Sequence, residues 1–393
     1  MTTDTKQIRI VSPSDVLALT FAGEGQVIGG HYLGGIRRWK IEDGQQQSPT
    51  MGANGIVASL AISQDGRWLV SGDRGKTAIV WNAATQEKAH ELKERAGYVL
   101  GVDISSDSTN FAIVDYNNAE IFSITSGIRL LAPVPHTNVT GVKFSPDGSR
   151  FATASETHGV RVYSTHNGNI LFDSGQKGSS GSWPVAPLAW SSDGQQLFVA
   201  SVGKITCFDL SKSLSSEWSI HEDQSRVSIA SNGRFIACAA GSSISLWDCV
   251  SHKQISSIIT YTSQINCLAL SPSGGCLACG IGKNTTTRNL RDVLPLEYFE
   301  DSLPLVRMSG KILKSWTQND PTNTEVLLSD ELTRDAKESL RVRPSPIGHI
   351  AMAVALLNQG DRDGALWTFD FAFQDCELYD ISFLLLLKVR KMI

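Results

Sequence analysis

Val142-Lys143-Phe144-Ser145-Pro146-Asp147-Gly148, continued by Phe151-Ala152-Thr153-Ala154-Ser155 and then by Val160-Arg161-Val162-Tyr163, decides how this chain folds. An apolar strand runs into a small-residue turn, a second strand of small residues returns, and a third strand ends on an aromatic. Asp-Gly supplies the positive backbone angles of a tight hairpin, so such acids read as turn formers before any catalytic use. The unit recurs. Its other turns are Ser63-Gln64-Asp65-Gly66, Ser105-Ser106-Asp107-Ser108, Ser191-Ser192-Asp193-Gly194, Ala230-Ser231-Asn232-Gly233 and Ser271-Pro272-Ser273-Gly274, with a weaker first copy at Ala22-Gly23-Glu24-Gly25. The residues before the seven turns, Phe21, Ile62, Ile104, Phe144, Trp190, Ile229 and Leu270, are spaced by 41, 42, 40, 46, 39 and 41 residues.

A second anchor moves with the first. The third strands end at Trp39, Trp81, Phe122, Tyr163, Phe208 and Trp247, with Arg288 in the seventh place, at steps of 42, 41, 41, 45, 39 and 41. A period of about 40–45 residues with several short strands per unit is the signature of a propeller blade. The expected fold is all-β: a seven-bladed β-propeller with blades starting near residues 16, 56, 98, 138, 184, 223 and 264. Trp247-Asp248 and Phe208-Asp209 complete an aromatic-Asp pair, and on these residues the chain resembles the WD40 repeat family over residues 8–299. That resemblance implies a buried network of His, Ser, turn Asp and Trp in each blade. His136 and His221 sit eight residues before their anchors, one short of the family spacing, and Asp73 fits the turn acid while Ser242 and Lys283 stand in the matching turns. Most blades are therefore expected to hold by packing, with moderate stability, and the seventh, Thr285-Thr286-Thr287-Arg288, to be distorted. Gln7-Ile8-Arg9-Ile10-Val11 alternates and is expected to close the ring as the outer strand of blade seven, since an open ring exposes sheet edges. The competitor, Leu294-Pro295-Leu296-Glu297-Tyr298-Phe299, carries a proline that demotes it.

From Asp301 the period-2 pattern ends. Residues 300–328 read as a linker and 329–393 as a short α-helical C-terminal region, opening on a Ser329 cap, with helices over 347–359, 362–373 and from Glu377 onward. Ala353, Leu356, Gly360, Ala365, Phe369 and Ala372 give this segment a resemblance to a tetratricopeptide repeat, with Glu377 in place of the closing proline. One such copy leaves an apolar face uncovered, so it is expected to dock on the propeller, on another chain or in a longer array.

Composition narrows the function. With 35 Lys+Arg against 39 Asp+Glu the net charge is -4 and there is no block of basic residues, which argues against nucleic acid as the main partner. Residues 1–6 hold no apolar segment, and the longest apolar run, Phe383–Leu387, is too short for a bilayer, so the expected setting is the cytoplasm or the nucleus. The sequons at Asn138 and Asn284 then read as chance matches. The seven cysteines (207, 238, 249, 267, 276, 279 and 376) fit no disulfide framework, and Cys276-Leu277-Ala278-Cys279 lies in a strand without a second ligand pair. The eight histidines show no ligand spacing, and there is no phosphate loop, GxSxG or HExxH. The inner strands open on aliphatics (Leu17, Val57, Val99, Val139, Val185 and Ile265), a poor setting for acid–base chemistry. No catalytic, cofactor-binding or metal-binding residue is expected.

The expectation is a non-enzymatic scaffold that binds protein or peptide partners. The resemblance implies recognition on the face formed by the loops between second and third strands, which carry Tyr32, Arg74, Lys76, Asn117, His158, Lys204 and Lys283. The helical tail is expected to offer a second site. Two alternatives are an RNA-associated adaptor, which would need a basic stripe, and a propeller hydrolase or lyase, which would need a polar or metal cluster in the channel.

Overall fold

The structure is a computed structural model that describes residues 7–178, 187–220, 227–295, 298, 299, 356 and 364. Apart from Leu356 and Gly364, the linker, the helical tail and its tetratricopeptide-like segment, together with Val185 and His221, lie outside the described residues. Met1–Pro295 forms one unit and Leu296–Ile393 another.

The first unit contains seven four-stranded antiparallel sheets. Their innermost strands are Val16–Phe21, Val57–Ile62, Gly101–Ile104, Val139–Phe144, Leu188–Trp190, Val227–Ser231 and Cys267–Leu270. In six sheets the strands follow in chain order. In the seventh the order is Cys267–Leu270, Cys276–Ile281, Asn284–Asn289 and then Gln7–Val11, so the start of the chain completes the last blade. Ile8 lies opposite Thr287 and Ile10 opposite Thr285. Ile10 is buried with Val16, Leu19 and Trp39 of blade one. Gln7–Val11 thus fills the place for which the proline-bearing segment competes, and a 3-10 turn at Leu290–Asp292, capped by the Asn289 side chain, follows Asn284–Asn289.

Four of the turns are built the same way. The hydroxyls of Ser63, Ser105, Ser145 and Ser191 donate to Asp65, Asp107, Asp147 and Asp193 at 2.5–2.6 Å. Each hydroxyl also accepts from the backbone N–H five residues on, at 2.9–3.0 Å. Partial burial works against ionisation of Asp65, Asp107 and Asp147, but these serine bonds and the N–H groups two residues on outweigh it and hold the carboxyls below their usual range. Blade six departs: Ala230 replaces the serine, and the Asn232 amide oxygen instead accepts from the N–H groups of Arg234 and Phe235.

Between blades, small residues set the spacing. A Cβ on Gly30 would stand 2.4 Å from Val57 Cγ1 of the next blade, and one on Gly72 would stand 2.5 Å from Val99 Cγ1. No side chain fits there without moving the neighbouring blade. Gly72→Val is therefore expected to destabilise the fold by about 2–4 kcal/mol, read as a lower urea midpoint.

Two expectations need correction. The seventh blade is regular: its first and second strands pair without a register shift, as do its second and third, whereas shifts between first and second strands occur in blades one, two and four. Thr285 and Thr287 explain this, as β-branched side chains that bury well on a pleated surface. Parts of the polar network are present in two blades. In blade two Trp81 Nε1 donates to Ser71 Oγ at 2.9 Å, and Asp73 accepts from the N–H groups of Thr77 and Asn54. In blade four His136 Nδ1 and Thr153 Oγ1 are bonded at 2.7 Å. The register also shows that Ala240 and Ile281, rather than Ser242 and Lys283, occupy the place of Asp73. Blades six and seven thus lack the acid by a different alignment.

Candidate functional site

The loops between second and third strands all emerge at one end of the blades, beside the connections that lead into the next innermost strand. Backbone hydrogen bonds stitch these segments together. Ser12 N donates to Lys283 O, Tyr32 N to Asp15 O, Ala53 N to Gly34 O, Arg74 N to Ile56 O, Arg95 N to Lys76 O and Val99 N to Asp73 O. The series links blades seven, one, two and three into one arc. Asn138 N to Tyr116 O and Glu156 N to Asn138 O form a similar link between blades three and four. Glycine makes the arc tight, since a Cβ on Gly55 would stand 2.5 Å from the Gly75 nitrogen.

Six of the seven sequence-derived residues lie in these loops. Tyr32, Lys76, Asn117, His158 and Lys283 are exposed, and Arg74 is half-buried. His158 Nδ1 is bonded to Thr157 Oγ1 at 2.8 Å. Lys204 departs: the loop of blade five is only two residues long, so Lys204 opens the third strand and pairs with Glu217 at 3.0 Å. Tyr32, Arg74, Lys76 and Lys283 stand on the linked loops of blades seven, one and two, while Asn117 and His158 stand at the similar link between blades three and four. Sequence reasoning missed Leu33, 76% exposed beside Tyr32 at 53%, and Tyr98 at 43%. Leu33 sits in the same loop as Tyr32 and was passed over as an ordinary aliphatic. Tyr98 lies in a connection between blades, which a search of strand-two-to-three loops does not reach.

Buried titratable groups elsewhere serve the fold. Glu120 is buried and pairs with Arg95 and with Arg129. Asp103 accepts from Lys143 Nζ and Phe144 N, both at 2.7 Å, tying the innermost strands of blades three and four. Burial pushes the thiols of Cys207, Cys238, Cys249 and Cys279 up to about 12, which leaves them without thiolate character at neutral pH. Among the described residues, no group of three His, Cys, Asp or Glu is placed to hold a metal, and no helix is long and apolar enough to cross a membrane.

Residues 45–82, 130–164 and 252–288 match the family model described as WD domain, G-beta repeat. The chain carries WD40 repeats. The matched segments run from the outer strand of one blade through the third strand of the next, which is the phase in which the sheets interlock. An uncharacterized WD repeat-containing protein of Synechocystis is 26% identical over 155 residues, covering 39% of this chain and 43% of that protein. A guanine nucleotide-binding protein subunit beta of Arabidopsis thaliana is 28% identical over 149 residues, covering 36% of this chain and 40% of that protein. The chain thus spans less than half the length of these curated relatives. Among solved structures, U3-55K and the RRP9 WD40 repeats each superpose with a TM-score of 0.61 at 16% identity, covering 72% of this chain and 98% and 97% of theirs. At that identity the likeness speaks for the seven-bladed fold alone.

Proposed function

We propose that this WD40 propeller is a non-enzymatic scaffold that holds a protein or peptide partner on the stitched arc of blades seven to three. The observation that carries this reading is the exposure of Tyr32, Leu33 and Tyr98 on loops locked to one another by backbone bonds. Rigid loops lose little entropy on binding, and exposed aromatics beside arginine are typical interface anchors. The WD40 relatives support a binding module.

A second exposed apolar group, Ile170 and Leu171 on the outermost strand of blade four, serves as the control surface. Affinity capture with the double variant Tyr32→Ser, Leu33→Ser is expected to lose the partners that the unaltered chain retains. The variant Ile170→Ser, Leu171→Ser is expected to keep them, with both variants melting within about 2 °C of the unaltered chain. Loss with the outer-wall variant alone would move the site to the wall.

A further inference from the structure

The repeats distribute charge unevenly between the two ends of the ring. Asp65, Asp107, Asp147 and Asp193 all stand in the turns between first and second strands, at the end opposite the arc. The arc itself presents Arg74, Lys76 and Lys283, against the exposed acids Asp15 and Glu94. Lys76 and Lys283 are exposed, and neither forms an ion pair among the described residues. The unit Met1–Pro295 as a whole carries 24 Lys+Arg against 24 Asp+Glu, so with three cations against two exposed acids this end is positive relative to it.

Lys76 also sits at φ 62, in the left-handed region that favours glycine. A lysine there is exposed and strains the backbone, as Glu94 does at φ 55 on the same arc, so packing accounts for neither. The charge of Lys76 is what it adds to the arc. The apolar groups Leu33 and Tyr98 lie on the linked segments: Gly34 O, next to Leu33, accepts from Ala53 N, and Lys76 O accepts from Arg95 N, three residues before Tyr98.

We infer that the arc is selective for an acidic segment of protein, in which carboxylates meet Lys76, Lys283 and Arg74 while an apolar side chain rests against Leu33 and Tyr98. This rests on the reading of the arc as the partner-binding face and names the chemistry of that partner. Folded nucleic acid is a poorer match, because the cations are few and interspersed with Asp15 and Glu94 rather than arrayed as a stripe.

Fluorescence anisotropy on the full chain tests it with three labelled peptides that share a central Leu-Trp pair and are flanked by Glu, Gln or Lys, together with a short oligouridine. The Glu peptide is expected to bind about tenfold more tightly than the Gln peptide, and this preference is expected to fade as salt rises. Lys76→Gly and Lys76→Glu are each expected to remove most of the preference. Because glycine is at ease at φ 62, Lys76→Gly is expected to leave the melting temperature unchanged or raise it by about 1–2 °C, which separates lost recognition from lost structure. Equal or absent binding of the Glu and Gln peptides would overturn the inference, as would tighter binding of oligouridine. If the Tyr32→Ser, Leu33→Ser variant still lost its captured partners in that event, the arc would stand as the binding face and only its acidic selectivity would fall.

Discussion

Deletion of residues 1–12 is expected to lower the melting temperature by about 10–20 °C. The strand Gln7–Val11 supplies the fourth strand of blade seven and buries Ile10 against Val16, Leu19 and Trp39 of blade one, so it ties both ends of the ring. Its removal strips the ladder bonds from Asn284–Asn289 and exposes apolar surface in two blades. A buried isoleucine contributes about 2 kcal/mol and each ladder bond about 1 kcal/mol, which places the loss near 5 kcal/mol. Substitutions within the strand separate clasp from bulk deletion. Ile10 is 4% exposed and Val11 is 72% exposed. Ile10→Asp is expected to reproduce most of the loss, because it buries an unpaired charge, while Val11→Asp is expected to melt within about 2 °C of the unaltered chain. Differential scanning calorimetry of the three proteins gives the comparison.

The second large effect is a fall in stability between pH 6.5 and pH 4, carried by two histidines. Burial lowers His31 to about 4, against a weaker opposing contribution from its bond to Ser14 O, with the Arg37 charge also pushing it down. Burial likewise lowers His136 to about 4, helped by the Arg161 charge. Both imidazoles are thus neutral in the folded chain across the range in which the unfolded chain takes up a proton near its ordinary value of 6.5. The unfolded state binds more protons there, so stability is complete above about pH 6.5 and declines until the folded histidines titrate at about 4. The loss is of the order of 2 kcal/mol for each histidine. A second decline follows at lower pH. The turn carboxyls of Asp65, Asp107 and Asp147 are held below 3.8, so the stability they contribute above that value is lost as the pH falls through their folded values. Urea unfolding followed by tryptophan fluorescence is expected to show a lower midpoint at pH 5 than at pH 7. In His136→Gln the difference is expected to shrink by close to half. A midpoint that is flat over this range would show that the two imidazoles are solvated.

The propeller was readable because its unit writes itself into the chain repeatedly. The Ser-x-Asp turn fixes where each hairpin bends, and the aromatic at the end of the third strand fixes its register, so errors in one blade were corrected by its neighbours. The closing strand followed from a physical need, since a ring with open edges must recruit an alternating segment and Gln7–Val11 alternates. The regularity of blade seven was not readable. Threonines carry no apolar signature, yet Thr285–Thr287 are buried and pair cleanly. The parts of the polar network in blades two and four were hard to read for a related reason: its members are set by register across strands, and Thr153 takes the place of serine while Asn54 offers a backbone N–H where a histidine was sought. The proposed face was half readable. Loop position picks out Tyr32, Arg74, Lys76 and Lys283, but the backbone bonds that link their loops with the segments of Leu33 and Tyr98 join different strands, and the bond between Ser12 and Lys283 exists only once the ring is closed.

Site-specific photo-crosslinking tests the central claim most directly. A benzophenone amino acid placed at Leu33 in one protein and at Ile170 in another, each expressed in the host cell and irradiated, reports which surface a partner touches. The account predicts a discrete higher-mass adduct from position 33, removed by Lys76→Glu, and none from position 170. Adducts from position 170 alone would contradict it and place recognition on the outer wall of the ring.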